Sequence, residues 1–300
     1  MKDIIKKLIP LPSPSGDESL LAKLIREEIS PFCDSVVTDS MGNIIATKKG
    51  KAAKTEPLCI CAHLDTSGFV VNYINDDGTL CVHPTGAHIR LSDAYSKVLV
   101  NEKTGLLIPK GEDSYYVNIG AFSKEEAEKI CSLGDFIAPV PDFCEFPDGR
   151  LVSFGLCAKA PCALLLALAR EISDTEREIN LVFTVQSGIS SRGARLVAQS
   201  LKGTAIIVDC IEKSGDALCK IGVSDSLCIY SKDTVDSLAE KAPAAERVVS
   251  DKAYDVQSFL HAGLSAAALL MQVENIGSSC EIISPDSLNC AKDVLLALCK

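Results

Sequence analysis

Apolar positions along the chain follow two distinct periods. Leu20, Leu21, Leu24, Ile25 and Ile29 recur at three- and four-residue spacing, which predicts an amphipathic helix. Ser15 followed by Glu18 has the form of a capping box ahead of it. Runs at 35–38 and 44–47 flank the turn Met41-Gly42-Asn43 and predict a hairpin. Leu58-Cys59-Ile60-Cys61-Ala62 is apolar without alternation, as a strand covered on both faces requires, and it delivers His63 to its carboxyl end. From Gly68 to Asp148 the texture changes to short β-like runs such as 69–74 and 97–100, broken by turn signals such as Asn75-Asp76-Asp77-Gly78. Helix and strand then alternate: a strongly apolar helix over 160–170, a strand over 179–185, a helix over 193–201 and strands over 204–208 and 266–273. Asp286 is placed to cap a last helix through Val294, Leu295 and Leu298.

This alternation predicts an α/β fold, a mainly parallel sheet flanked by helices with an inserted smaller β-rich domain. Residues 1–67 and 149–300 form the discontinuous α/β domain and residues 68–148 the insertion.

Composition narrows the function classes. A chain of 300 residues at 47% hydrophobic and 23% charged is a folded protein rather than a disordered or fibrous one. Thirty basic against forty acidic residues leave a net charge of −10, so nucleic acid and anionic membranes are poor partners. Charge interrupts residues 1–7 and Pro10, Pro12 and Pro14 follow, so no signal core is present there. No stretch approaches the ~20 apolar residues of a membrane helix, and a cytoplasmic location is expected. Fourteen cysteines without any CxxC pair then read as free thiols, mostly small buried hydrophobes.

In open α/β sheets, sites gather at the carboxyl ends of strands, which here carry His63 and Asp65, Gln186, and Asp209. His63 and Asp65 share a face if the strand continues, the spacing of a metal-binding histidine oriented by a carboxylate. A plain His–Asp hydrogen bond is the alternative. His83, His88 and His261 form no ligand pair at short spacing, and phosphate loops, G-x-S-x-G and H-E-x-x-H are absent.

Several ordered motifs together resemble a known family. They are Pro12-Ser13-Pro14-Ser15-Gly16-Asp17-Glu18, Asp39-Ser40-Met41-Gly42-Asn43, Ala62-His63-Leu64-Asp65 with Gly68-Phe69-Val70-Val71, and, in the insertion, Val117-Asn118-Ile119-Gly120-Ala121, Ser123-Lys124-Glu125-Glu126-Ala127 and Gly134-Asp135-Phe136. Thr184-Val185-Gln186, Arg192-Gly193-Ala194 and Val208-Asp209 complete the set. The chain resembles family 42 of the metallopeptidases, cytosolic dinuclear-metal aminopeptidases that include glutamyl and deblocking aminopeptidases and assemble as dimers or tetrahedral dodecamers. The resemblance implies a peptidase-like α/β domain whose inserted domain takes part in dimerisation. It also implies two zinc or cobalt ions sharing a bridging aspartate, held by two histidines, an aspartate and a glutamate, with a second glutamate as general base.

Most of those positions differ here. His63, Asp65 and Asp209 match, but the bridging aspartate falls on Cys157, in Cys157-Ala158-Lys159. The general-base glutamate falls on Ser187, the ligand glutamate on Gly188 and the second ligand histidine on Gly277. Serine has no carboxylate to accept a proton, and losing such a base costs about 10²–10⁴ in rate. The expectation is a catalytically inactive aminopeptidase homologue that retains a scaffold, binding or partner-subunit role as a homo-oligomer, acting alone, with a peptide or with an active paralogue. The alternative is a mononuclear zinc hydrolase with the metal on His63, Cys157 and Asp209 and with Asp65 orienting His63. Its acid or base would have to come from residues such as Asp255 or Glu274. Cys157 reads equally as a packed core thiol. A thiol hydrolase of Cys157 and His63 has no supporting signature, and a fully active aminopeptidase would need replacement ligands that the sequence does not display.

Overall fold

The computed structural model describes residues 1–52, 55–86, 95–110 and 114–300. His88 lies outside the described residues. The chain opens with helices α1 (Lys2–Leu8) and α2 (Ser19–Ile29), then the hairpin β1 (Ser35–Thr38) and β2 (Ile44–Lys48) and the buried strand β3 (Leu58–His63). Leu21, Ile25 and Ile29 are the buried face of α2, while Leu20 is exposed. Ser15 and Glu18 do not make a capping box. The Ser15 hydroxyl donates to Asp65 and the Glu18 carboxylate accepts from the Gly16 amide, so both serve the strand end rather than the helix.

Six strands follow: β4 (Gly68–Ile74), β5 (Leu80–Thr85), β6 (Ser96–Val100), β7 (Lys103–Pro109), β8 (Tyr115–Asn118) and, after the short helix α3 (Lys124–Ala127), β9 (Phe136–Pro139). They close into an antiparallel barrel around Phe69, Val98, Leu107, Val117 and Ile137. The barrel ends at Pro139, inside the expected 68–148, because β10 (Cys144–Glu145) already pairs with β11 (Leu151–Ser153) in the main sheet. Closure leaves this small unit with no free sheet edge.

The α/β domain resumes with α4 (Leu156–Glu171), β12 (Ile179–Thr184), α5 (Arg192–Val197), β13 (Thr204–Glu212), β14 (Cys219–Ser224) and α6 (Lys232–Lys241). It ends with β15 (Glu246–Val249), α7 (Val256–His261), β16 (Ser265–Glu274), β17 (Glu281–Ile283) and α8 (Pro285–Cys299). The sheet runs β1-β2-β12-β3-β13-β16-β17-β11-β10, with β14 also on β16 and β15 on β14. Its four central strands, β12, β3, β13 and β16, are parallel, and the strands joined to them at either side, β2, β14 and β17, are antiparallel, so the sheet is mixed. Helix α4 is buried almost all round and packs on β3 and β13 and against α1, α2 and α8. It starts at Leu156, earlier than its apolar run suggests, and so includes Cys157. Helix α8 is capped by Ser284, whose Oγ accepts from the Ser287 amide at 3.1 Å, and Asp286 lies in the first turn instead.

The loop after β12 is held by Asn43, which accepts from the Val185 amide and donates to the Gly193 carbonyl, both at 3.0 Å. A Cβ on Gly193 would lie 2.3 Å from the Val185 carbonyl oxygen and 2.4 Å from Asn43 Oδ1. Gly193→Ala is therefore expected to destabilise the fold by about 2–3 kcal/mol, through overpacking against backbone that cannot move away. Urea unfolding of the two chains checks this, and an unchanged midpoint would refute the close approach.

Candidate functional site

The parallel register brings three strand ends to one level. Thr184 on β12 pairs with His63 on β3, and Ile207 pairs with Cys61, which sets Asp209 beside His63. His63 Nδ1 lies 2.9 Å from the Asp65 carbonyl oxygen and 3.5 Å from its carboxylate, while Nε2 lies 3.7 Å from Asp209 Oδ1. Asp65 thus orients His63 mainly through its backbone. Burial opposes the imidazolium, but Asp209 and Asp65 outweigh it and hold the His63 pKa well above its usual value. Asp209 also faces Lys252, whose Nζ is 3.5 Å from Oδ1 and 5.1 Å from the Tyr254 ring centre. Although burial favours the neutral acid, Lys252 and His63 draw Asp209 down to about 2. In the same way burial opposes the Lys252 ammonium, and Asp209 more than compensates, so its pKa is raised.

Asp65 is enclosed by donors: the Ser15 hydroxyl at 2.5 Å and the Ser187 and Gly188 amides, each at 2.9 Å. Ser187 Oγ donates to Asp255 at 2.8 Å, and Thr184 Oγ1 donates to its other oxygen at 3.0 Å. Burial raises the Asp255 pKa. This loop has left-handed backbone at Gln186, Ser190 and Ser191, each costing of order 1 kcal/mol for a non-glycine residue. Glu18, Asn43, Asp65 and Asp255 grip it from four sides and hold it there. On the other side, Glu281 accepts from the Gly277 amide at 2.8 Å and the Cys157 amide at 3.0 Å. Pro161 deprives the Cys157 carbonyl of its helical donor, and the Cys210 thiol approaches that carbonyl at 3.7 Å. The bond to Cys210, then burial, then Glu281 keep the Cys157 thiol pKa well above normal.

A sequence profile of the M42 glutamyl aminopeptidase family matches residues 42–110 and 99–293. The chain belongs to this family. An Acetivibrio thermocellus protein, assigned to the aminopeptidases without a named substrate, is 34% identical over 226 residues, 72% of this chain and 67% of that protein. The lysyl aminopeptidase of Pyrococcus furiosus is 30% identical over 226 residues, 65% of this chain and 62% of that enzyme. The alignments span about two thirds of these relatives' own length. Among solved structures, aminopeptidase APDkam598 from Desulfurococcus kamchatkensis superposes with a TM-score of 0.91 at 23% identity, covering 99% of this chain and 93% of that one. The TET1 peptidase of Pyrococcus horikoshii, which can assemble into a tetrahedron or a large octahedral shell, gives 0.88 at 22%, covering 99% and 98%. At those identities the structural likeness shows the fold alone.

M42 aminopeptidases are metal-dependent as a family. In this member, among the described residues, no group of three or more His, Cys, Asp and Glu side chains is placed to hold a metal ion. His63, Asp65, Asp209 and Ser187 come together. Cys157 lies nearby, engaged with Cys210 and Glu281, and Gly188 and Gly277 contribute only backbone amides. His83 and His261 are exposed, and Glu274 pairs with Arg150 and Lys213. Lys252 and Glu281 enter the site although no spacing in the sequence singles them out, and Glu18, read there as a helix cap, enters it as well.

Glu18 contributes one pH dependence. Burial, with Asp65 adding to it against the Gly16 amide, raises its pKa from 4.5 to about 7. A raised carboxylate pKa means that the folded state holds the proton more tightly. Its contribution is complete below the unfolded value and is lost as pH rises through the folded one. Between about pH 5 and pH 8 the stability of the native chain relative to Glu18→Gln should fall by on the order of 2–3 kcal/mol, since glutamine keeps both accepted bonds without titrating. Denaturant unfolding across that range measures it, and parallel profiles would show that Glu18 is not the group responsible.

Proposed function

We propose that this M42 member has given up dinuclear metallopeptidase chemistry and acts as a non-catalytic binding or assembly subunit. The observation that carries the reading is the Lys252 ammonium at 3.5 Å from Asp209, a lysine paired with the strand-end carboxylate that the resemblance assigns to a metal. His63 lies beside both Asp65 and Asp209 and Lys252 beside Asp209, so each of these carboxylates already has a basic partner. A divalent ion would have to deprotonate His63 and displace Lys252 before it could reach Asp209. The donors present do not suit it. The general-base position is Ser187, whose hydroxyl is already given to Asp255, so this side chain does not itself activate water.

Assembly as a homo-oligomer is the natural carry-over from the shells formed by the Pyrococcus horikoshii relative, with the inserted barrel as the dimerising unit. A peptide or an active paralogue is the candidate partner for such a subunit.

Metal content of protein purified without a metal-affinity tag, assayed beside a panel of aminoacyl substrates with added zinc or cobalt, tests the reading. Less than about 0.1 metal ion per chain and no turnover are expected. One tightly held zinc that Cys157→Ser releases would favour the mononuclear hydrolase, and two metals with turnover would restore the active aminopeptidase. A second measurement addresses Lys252 itself. Lys252→Met should cost about 1–3 kcal/mol, below the ~3–5 kcal/mol of a fully buried pair, because its side chain is 32% exposed. An unchanged unfolding midpoint would show that the pair is not the site's counter-charge.

A further inference from the structure

On the face of the sheet covered by α8, two thiols meet, with Cys219 two strands across from Cys210. Cys219 opens β14 opposite Met271 of β16, and Cys290 lies in the middle of α8, 71 residues later. Their sulfurs are 2.8 Å apart, within about 1 Å of the ~2.05 Å of a disulfide. The approach is built by neighbouring contacts. One helical turn before Cys290, Ser287 Oγ donates to the Leu218 carbonyl at 2.7 Å and accepts from the Gln272 amide at 3.1 Å. Leu218 directly precedes Cys219, and Gln272 directly follows Met271, so the same hydroxyl fixes the register of helix, β14 and β16.

We infer that Cys219 and Cys290 are an oxidisable pair, a clasp that a peroxide closes between β14 and α8. With peroxide the chemistry balances in two steps. The sulfur of Cys290, the half-buried partner, attacks an oxygen, the O–O bond breaks and one water leaves, giving a sulfenic acid. The Cys219 sulfur then attacks the sulfenic sulfur, the S–S bond forms, the S–O bond breaks and its thiol proton leaves with the oxygen as a second water. Two thiols lose two electrons and one peroxide becomes two waters. The enclosed segment carries Lys252, Asp255, Gly277 and Glu281, so closing the clasp ties down much of the chain that lines the strand-end site.

The test uses the full chain, reduced, then treated with hydrogen peroxide, with thiols blocked and peptides mapped by mass spectrometry. A peptide linking Cys219 to Cys290, about 2 Da lighter than its two halves and opened by dithiothreitol, is expected. The oxidised chain should melt about 3–8 °C higher than the reduced one. Cys290→Ala should abolish both the linkage and the shift. Cys219→Ala repeats the test from the buried side, and Cys290→Ala alone decides if that variant does not fold. Both thiols remaining open to alkylation, Cys290 passing to the sulfinic acid without linkage, or a bridge forming elsewhere, such as between Cys157 and Cys210, would each overturn the inference.

Discussion

Two carboxylates at the ends of adjacent parallel strands set the problem that the surrounding structure solves. Asp65 and Asp209 are 3% and 4% exposed, and an unpaired carboxylate taken from water that far would cost several kcal/mol even after relaxation. Both belong to the fold: Asp209 is fixed by strand register, and Asp65 by the turn that carries the chain from the sheet into the barrel. Their charge is met locally instead. Asp65 takes three donors and His63, and Asp209 takes His63, Lys252 and the Cys210 amide at 2.6 Å. Ser15, the Ser187 and Gly188 amides and Lys252 come from three separate segments, so satisfying the carboxylates also aligns the 13–18 segment, the loop after β12 and the stretch before α7.

The same logic explains how small residues work at this site. Gly188 and Gly277 have no side chains to offer, yet their amides point at Asp65 and Glu281 and supply partial positive charge where the resemblance would have a metal ligand. Gly277 does so at φ +81°, a conformation costly for the histidine that the resemblance expects there. Lys159 has a comparable structural role in the first turn of α4. Its ammonium donates to Ser13 Oγ at 2.6 Å and the Leu11 carbonyl at 3.1 Å, and burial pushes its pKa down to about 7. It therefore staples the N-terminal segment rather than reaching the strand ends.

Much of the scaffold was legible in the sequence because its signals are local. The unbroken apolar run before His63, the apolar helix after Leu156 and the turn-rich insertion each identify themselves, and the strand-end rule places His63, Asp65 and Asp209 in one neighbourhood. The parallel order of the central strands follows from the βαβ alternation, but the antiparallel flanks come from short strands, such as β11 and β17, with no alternating pattern to mark them. Ser15 and Glu18 show how a local motif misleads. Their spacing fits a capping box, and tertiary demand from Asp65 and the Gln186 amide takes both side chains away from the helix. Lys252, Glu281 and the pairing of Cys219 with Cys290 depend on contacts 43 to 124 residues apart, and no single-segment pattern carries such information.

On the proposed reading the substitutions in this site depend on one another. Replacing carboxylates at positions 157, 187 and 188 with neutral residues removes the negative charge that would draw in metal ions, yet Asp209 stays buried and needs a cation. A lysine on a flexible stem is a compact answer, because one ammonium can neutralise one carboxylate without the several oriented donors that a divalent ion demands. Reversing a single change would then not restore a metal site. A carboxylate returned at position 188 would add a buried negative charge beside Asp65 with no cation to meet it, and a lost Lys252 would leave Asp209 facing His63 alone. On this reading the pocket holds a second electrostatic solution on the same strand ends, and separate single changes would not lead back to the first.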